Sequence, residues 1–433
     1  MRTNLWVVPT AMVALVIAMY ALTSGLDREV AAGRLTLPAW VSSGSADAVR
    51  QTLIAIASAV ITVAGVVFSI TILVLQLASQ QFGPRMLRNF IRDRGTQASL
   101  GAYVATFVYA VLVLASVTDP PQEFVPHLSA KVAIGFTLVD LGVLIYYIDH
   151  IATSIQLTSV VSEIAADFRS TVANVRADAR RWQVDLRRLH ESPVPLLADF
   201  SGRINADASG FLQAIGHERL VEIATSADAI IRLIHRPGHF VVEGQLLATV
   251  APASAVETVS SALTAAHLVG PNRTLTQDPG FAIDQLVEVA IRALSPAIND
   301  TFTALNCLDW LGDCLCRVCA EPLPSGIYRD ASGHVRLIEP AVTPERLIKG
   351  ASDKIRQAGR GMPAVSIRHL ENLQKVMSVA QTTGQREALL HQAEMILRSS
   401  EESVPEASDR RDVQSAYDSL VASSREAGQA TDD

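Results

Sequence analysis

Polar and small residues recur along one apolar stretch of the sequence at steps of three, four or seven positions. The stretch covers residues 58–85 and reads SAVITVAGVVFSITILVLQLASQQFGPR. The recurring residues, which we call the polar stripe, are Ser58, Thr62, Gly65, Ser69, Gln76 and Gln80. Steps of this size place all of them on one face of a helix. Such side chains can replace the hydration of an ion or a polar solute, so the stripe predicts a water-filled path where several copies surround a common axis.

The polar stripe also fits a second interpretation, in which it is a packing surface. Small residues such as Gly65 and Ser69 let a neighbouring membrane helix approach closely. A hydroxyl can bond a carbonyl of its own helix, but the amides of Gln76 and Gln80 need water, another helix or the membrane interface. Both interpretations hold together if the helix associates with copies of itself.

A single acidic residue, Asp140, lies near the middle of another apolar segment. A carboxyl group is costly in hydrocarbon and normally faces protein or water. Asp140 therefore predicts either a proton or cation site, with the polar stripe as its surroundings, or a neutral acid hydrogen-bonded to a neighbouring helix.

Four apolar segments are long enough to position these residues in a membrane, since a crossing needs about 20 mostly apolar residues. They cover about residues 5–22, 53–77, 100–117 and 132–148. The first is longer than the apolar core of a secretory signal and lacks a clear cleavage site, so we expect an uncleaved anchor. An apolar fraction of 49% is consistent with a membrane part joined to a globular part.

Arginine placement predicts the orientation of these segments. The loop between the second and third reads FGPRMLRNFIRDRG and carries Arg85, Arg88, Arg92 and Arg94. The positive-inside rule puts this loop in the cytosol, and with it both termini of a four-span protein. The same arginines are typical of a short amphipathic helix on the inner leaflet, although a solvated turn also fits.

The rest of the chain predicts a cytosolic α+β domain. Apolar steps predict a long amphipathic helix over 151–192, which is either a lever continuous with the fourth span or a helix packed on its own domain. Glycine-punctuated runs predict a small β-containing module over 193–253, with a hairpin around VVEGQLLATV. A mainly helical domain over 254–400 and a polar, partly disordered tail over 401–433 follow. The predicted fold class is mainly α: a four-span transmembrane helical bundle over 1–150 with this cytosolic domain.

One turn in the helical part could hold a ligand. Asn299 and Asp300 precede a new apolar run, which predicts a helix N-cap, and a helix N-terminus can also bind an anion. The cysteines that follow are Cys307, Cys314, Cys316 and Cys319. Their spacing suits a tetrahedral zinc poorly and no His lies close by, so we expect buried structural thiols.

The sequence contains no familiar catalytic pattern. A P-loop, Gly-x-Ser-x-Gly and His-Glu-x-x-His are missing, and the histidines are scattered singly. A net charge of −7 gives no case for nucleic acid. We therefore expect no enzymatic activity, no cofactor and no metal, with the lipid bilayer and further copies of the chain as partners. The sequence does not indicate whether the protein binds a small ligand or an ion.

Four blocks of the sequence resemble a bacterial family. They are ITVAGVVFSITILVLQLASQQFGPRMLRNFIRDRGTQASLGAYVATFVYAVLVL, FVPHLS, RPGHFVVEG and ALSPAINDTFTAL. Over nearly its whole length the chain is similar to predicted membrane proteins grouped as domain of unknown function 2254. That family usually has Pro where Thr301 stands here. The resemblance implies a multi-pass inner-membrane protein with a cytosolic C-terminal domain, and it implies no established activity.

These patterns together favour an oligomeric inner-membrane protein that forms an ion channel or transport path. The second span would line the path and the cytosolic domain would gate it. The alternative is a non-conducting membrane sensor or scaffold, whose cytosolic domain binds a ligand or partner.

Overall fold

The computed structural model describes residues 6–36, 38, 41, 45–82, 93–118, 124–154, 157–181 and 200–429. The chain divides into two compact units, Met1–Ser159 and Val160–Asp433. We call them the membrane unit and the C-terminal unit. The predicted fold class is confirmed, because the protein is mainly α, carries four candidate membrane-spanning helices and has an α+β C-terminal unit.

Long helices build the membrane unit. They are α1 (Val7–Ala31), α2 (Ala46–Phe82), α3 (Arg94–Ser116) and α4 (His127–Ser154). Each is long and apolar enough to cross a membrane, as predicted. Helix α1 continues well past the predicted end of the first segment, because Thr23, Ser24 and Asp27 are buried rather than exposed in a loop.

The third helix forms the centre of the membrane unit. Half of its candidate span is buried, compared with 22–28% for the other three helices. Tyr109 of α3 is fully buried and meets Tyr20 and Phe136 edge-on, at ring-centroid distances of 6.4 and 5.2 Å. Helix α2 packs on this core with one apolar face, which includes Leu53 and Val67. Its other face is left to the surroundings.

The described residues of the C-terminal unit form two sheets and nine α-helices. The strands are β1 (Gly202–Asn205), β2 (Gly210–Ile215), β3 (Ile230–Leu233), β4 (Phe240–Val241), β5 (Leu246–Ala251), β6 (His267–Gly270), β7 (Ile327–Arg329) and β8 (Val335–Ile338). The helices are α5 (Leu157–Arg181), α6 (His217–Ser226), α7 (Val256–Ala266), α8 (Pro279–Ala293), α9 (Thr301–Ala320), α10 (Pro344–Ala358), α11 (Pro363–Met377), α12 (Thr383–Ser403) and α13 (Ala407–Gln429).

The sheets draw strands from well beyond the predicted β module. One sheet has the order β1-β5-β3-β8-β7, with β3 and β8 parallel, and the other has the order β4-β2-β6. Strands β6 to β8 come after residue 253, so the predicted boundary there does not separate sheet from helices. The predicted hairpin is wrong, because β4 and β5 belong to different sheets. Leu212, Ile231 and Val250 lie in the core that the strands share with α6 and α7.

Part of the long helix predicted over 151–192 is described. Helix α5 is described from Leu157 to Arg181. Residues 155–156 and 182–199 lie outside the described part, so the predicted continuity with α4 and the predicted end of this helix stay predictions. Thr171 of α5 donates to the carbonyl of Leu275 at 2.7 Å, which favours a helix packed on its own domain over a free lever. The predicted polar tail contains helix α13.

Candidate functional site

The described part of the polar stripe lies on the face of α2 opposite the one that packs on the other described helices of the membrane unit. Ser58, Thr62, Gly65, Ser69 and Gln76 are all exposed, and a Cβ atom at Gly65 would meet nothing within 4 Å. The side chain of Gln80 lies outside the described part. Within the described residues, these five positions are therefore open to lipid or to another molecule.

Two of the stripe's hydroxyls, those of Thr62 and Ser69, are bonded within their own helix. Thr62 donates to the carbonyl of Ser58 at 2.7 Å, and Ser69 donates to that of Gly65 at 2.9 Å. A hydroxyl that donates still carries acceptor lone pairs. The stripe can thus tolerate an apolar neighbour and still offer oxygen atoms to a polar one.

The intramembrane acid Asp140 lies in a buried position on α4. Asp140 is 5% exposed, and its carboxyl group is hydrogen-bonded to Thr106. Its backbone carbonyl accepts a hydrogen bond from the Tyr103 hydroxyl at 3.2 Å. One carboxyl oxygen finds no partner among the described residues. These partners belong to α3 rather than to the polar stripe, and they match the interpretation of an acid bonded to a neighbouring helix.

Two carboxylates that the sequence analysis missed hold the ends of α4. Asp27 of α1 is 3% exposed and accepts hydrogen bonds from the amides of Leu128 and Ser129 at 2.9 and 3.0 Å, and from the Ser129 hydroxyl at 2.6 Å. At the other end, Asp93 meets Nε2 of His150 at 2.7 Å. An Asp five or seven residues outside a predicted apolar segment gives no sign that it binds a different helix.

Asp93 also caps its own helix, α3. It accepts from the amide of Thr96 at 2.8 Å and from its hydroxyl at 2.6 Å. Burial alone would raise the pKa of Asp93, but the hydrogen bonds from Thr96 and His150 outweigh it and lower that pKa. Arg94 begins α3. Arg85, Arg88 and Arg92, and with them the predicted amphipathic helix, lie outside the described residues.

The Asn299–Asp300 turn acts as a helix cap. Asp300 accepts from the amide of Thr303 at 3.1 Å and from its hydroxyl at 2.6 Å, which confirms the predicted N-cap of α9. Asn299 adopts a left-handed φ of 51°. A carboxylate at this helix start would repel an anion, so the ligand interpretation gains no support.

The cysteines of α9 have the burial predicted for structural thiols. Three of them are buried and Cys316 is half-buried. Burial raises the pKa of Cys307, Cys314 and Cys319 to about 12, so these thiols stay protonated. Among the described residues no cluster of His, Cys, Asp and Glu could hold a metal ion.

A half-open cleft in the C-terminal unit was not predicted. Its polar lining consists of Asp178, His217, Arg236, Gln277, Tyr328 and Glu339. Prolines and aliphatic side chains, among them Pro237, Pro279 and Val342, form the remaining walls. Residues on α5, on α6 and in the segments after β3 and β8 thus meet in one place, although they are far apart in the sequence.

A hydrogen-bonded aromatic group forms part of the cleft. The ring of His217 stacks on Tyr328 at a centroid distance of 4.5 Å with an interplanar angle of 14°. Glu339 accepts from the Tyr328 hydroxyl at 2.6 Å and lies 3.1 Å from Nε2 of His217. Burial, and then the Glu339 charge, raise the pKa of Tyr328 well above its ordinary value. The phenol therefore remains a donor, and Glu339 is engaged by two protein groups.

Arg236 is the unusual member of the cleft lining. Arg236 is only 9% exposed. Its one hydrogen bond within the described part is a 3.5 Å contact with the carbonyl of Pro237. No carboxylate of the described residues lies within ion-pair distance of it. Burial lowers the pKa of Arg236, and the charges of Arg346 and Arg273 add to that effect, while the charges of Asp278 and Glu339 oppose it.

The neighbouring Arg273 is paired in the ordinary way. It meets Asp278 at 2.7 Å and Asp284 at 2.5 Å. Burial alone would lower the pKa of Arg273, but these two carboxylates raise it. Burial, and next the charges of Arg236 and Arg346, lower the pKa of His239 to about 4, so this imidazole is neutral at physiological pH. Arg273 is thus paired with two carboxylates, whereas Arg236 has no carboxylate within ion-pair distance among the described residues.

Comparisons with known proteins place the chain among uncharacterised relatives. The family model described as predicted membrane protein (DUF2254) matches residues 2–375. Uncharacterised proteins of Mycobacterium bovis and Mycobacterium tuberculosis are 28% identical over 416 residues, which cover 94% of this chain and 78% of each relative. No solved structure matches the chain. Since the family model covers most of the sequence, from the first span to helix α11, the chain belongs to the DUF2254 family of predicted membrane proteins.

Proposed function

We propose that this protein is a multi-pass protein of the bacterial inner membrane whose copies assemble around the polar stripe of α2 and enclose a path for ions or small polar solutes. Both termini lie in the cytosol in this proposal, and the C-terminal unit gates the path without catalysis. The observation that supports it is the outward orientation of the stripe, opposite the face of α2 that packs on the bundle.

Self-association explains why this face carries polar atoms. An amide without a partner costs several kcal/mol in hydrocarbon, so exposed Gln76 needs water or a neighbouring protein if it lies at membrane depth. Gly65 leaves open space on the same face, which allows a second backbone to approach closely. Copies arranged around an axis would bring Thr62, Ser69 and Gln76 onto one water-filled lumen.

Leucine substitutions on the stripe test this path. Thr62→Leu and Ser69→Leu place an apolar, bulkier side chain in the lumen, and we expect each to reduce ion flux into proteoliposomes at least about tenfold. The matched control is Thr52→Leu, because Thr52 is an exposed residue of α2 with the same bond to its own helix, at 2.7 Å to Ala48, but lies off the stripe. Flux through both stripe variants equal to that of the unmodified protein would rule the path out.

Cysteine cross-linking tests the assembly separately. Gly65→Cys should form disulfide-linked dimers in membranes under mild oxidation, since position 65 would face a symmetry-related copy. Val66→Cys is the control, because Val66 is 55% exposed and lies on a different face of α2. Equal cross-linking at the two positions would contradict an interface centred on the stripe.

The second candidate function is a non-conducting sensor or scaffold whose C-terminal unit binds a ligand. The cleft around Arg236 favours it, because a buried cation without a carboxylate partner is a poor structural element and a good recognition group. A protein that is monomeric in mild detergent and silent in flux measurements, yet binds a ligand in this cleft, would select this candidate over the path.

A further inference from the structure

We propose that the cleft of the C-terminal unit binds a small organic carboxylate, with the carboxylate on Arg236 and an apolar body against the proline-rich walls. This inference deepens the second candidate function, on which it rests, and it holds whether or not the membrane unit conducts.

Arg236 carries a charge for which the described residues provide no ion-pair partner. A guanidinium group stays protonated in proteins, and a buried charge is normally paired. Arg273 has two carboxylates, and Arg336 of β8 meets Asp330 at 2.7 Å and Asp228 at 2.8 Å. Arg236 is 9% exposed and, within the described part of the chain, meets no carboxylate. An anionic ligand in the cleft would complete its hydrogen bonds.

Most nearby acids already have other partners. Asp278 is held by Arg273, and Glu339 is held by Tyr328 and His217. Asp178 of α5 also lines the cleft, but it is half-buried rather than buried, so water can stabilise its charge. Arg236 is therefore the charged group of the cleft that most lacks an opposite charge. This favours an anionic ligand over a cationic one.

The ligand should be a monoanion with an apolar body. A planar carboxylate matches the fork of one guanidinium with two parallel hydrogen bonds. A phosphate ester would bring a second negative charge next to Asp178 and Glu339, which share the cleft with Arg236. The walls next to the charged groups are formed by Pro237, Pro279, Leu323, Pro340 and Val342. These side chains offer surface to an alkyl or aryl group and no hydrogen bonds.

Four-carbon probes that differ only in their head group test whether the cleft prefers an anion, a cation or a neutral molecule. Full-length protein in nanodiscs is titrated with butyrate, butylamine or 1-butanol, and binding is followed by calorimetry and by saturation-transfer NMR. We expect binding of butyrate and much weaker binding of the other two. Acetate and inorganic phosphate should also bind more weakly than butyrate. A wild-type protein that binds no butyrate, or that prefers the amine, the alcohol or phosphate, would overturn the proposal.

Substitutions then locate the site. Arg236→Gln should weaken butyrate binding at least about tenfold, and Arg236→Lys should weaken it less. Arg219→Gln is the matched control, because Arg219 is an exposed arginine of α6 that does not line the cleft, and its butyrate affinity should not change. Unchanged butyrate affinity in Arg236→Gln would refute the assignment.

Two further measurements guard against a merely structural effect. Arg236 holds no carboxylate in place, so Arg236→Gln should keep the melting temperature of the unliganded protein. If that variant does not fold, Ala341→Leu decides the matter, since it fills a wall of the cleft and leaves Arg236 in place. We expect it to abolish butyrate binding, and retained binding would count against the site. Neither result depends on ion flux, so failure of this inference is distinguishable from failure of the path.

Discussion

Carboxylates of the membrane unit serve as acceptors for helices other than their own. Asp27 belongs to α1 but satisfies donors at the start of α4, and Asp93 caps α3 while it also pairs with His150 near the end of α4. A helix N-terminus leaves several amide groups without intrahelical partners, so an acceptor is needed wherever that end is shielded from water. Here tertiary packing provides it, and one side chain connects two helices.

Removal of the Asp27 carboxylate should therefore weaken the membrane unit. We expect Asp27→Ala to lower the free energy of unfolding by about 1–2 kcal/mol, because the donors of Leu128 and Ser129 lose their acceptor. Asp27→Asn keeps one acceptor oxygen and should cost less. Unfolding by SDS in mixed micelles measures both. Glu29→Ala is the control on the same helix. Among the described residues, the Glu29 side chain forms an exposed pair with Arg34, so its loss should change stability by less than about 0.5 kcal/mol. Equal losses at the two positions would contradict the cap.

Residue roles were predictable from the sequence only where they are local. The cap at Asp300 depends on Thr303, three residues away, and the sequence predicted it correctly. The isolation of Arg236 depends on the absence of a carboxylate among residues that the fold gathers from several elements, so no spacing rule could reveal it. The same is true of Asp27, whose partners lie about 100 positions away.

At the scale of elements, one turn shapes the surroundings of the cleft. Gly238 follows Arg236 and Pro237 and has a φ of 93°, and a Cβ atom there would collide with the carboxylate of Asp278. Because Asp278 is completely buried and paired with Arg273, it cannot move aside without breaking that pair. Two independent reasons thus require glycine at position 238: the positive φ and the lack of space for a Cβ atom.

A pair of glycine substitutions separates these two effects. Gly244→Ala should cost about 1 kcal/mol, because Gly244 has a similar φ of 78° but open space around it. Gly238→Ala should cost distinctly more, since the collision with Asp278 adds to the same backbone strain. Thermal unfolding of the C-terminal unit in the full-length protein gives the comparison. Similar losses for the two variants would mean that Asp278 yields easily.

Helices were easier to predict than strands in this chain. The membrane helices follow from the length of their apolar runs, which depends on the bilayer alone. Strands such as β8 have only four residues and join the sheet by pairing with β3, about 100 positions earlier, so local alternation does not identify them. The run around VVEGQLLATV resembles a hairpin locally, but β4 pairs with β2 while β5 lies between β1 and β3. The tertiary fold, and not the local sequence, thus determines which strands pair.

At the scale of the whole molecule, the two units have separate hydrophobic cores. The core of the membrane unit contains residues from Val16 to Tyr147, and a core of the C-terminal unit runs from Ala179 to Leu337. Each unit also contains its own polar feature, the stripe in one and the cleft in the other. The proposed ligand binding and the proposed membrane assembly can therefore be tested one at a time.

The separate cores predict that the C-terminal unit folds without the membrane unit. A fragment that starts at Val160 should be soluble, helical by circular dichroism and cooperative in thermal unfolding. A fragment that starts at His217 is the control, because it lacks β1 and β2 and with them the core residues Ile204 and Leu212. We expect this control to aggregate. Aggregation of the longer fragment in the same buffer would show that the units depend on each other.

The double attachment of α4 restricts how the bilayer-embedded part can rearrange. Sliding or tilting this helix would pull its start away from Asp27 and its end away from Asp93, and would strip charged groups of their bonds in poorly hydrated surroundings. Helix α2 meets the same frame through apolar side chains and through the hydroxyls of Thr71 and Tyr147, which lie 2.7 Å apart. Side chains in such contacts can change rotamer with little loss of free energy. In the proposed path, opening and closing would consequently be carried by α2, which would tilt against a frame of α1, α3 and α4 that stays in place.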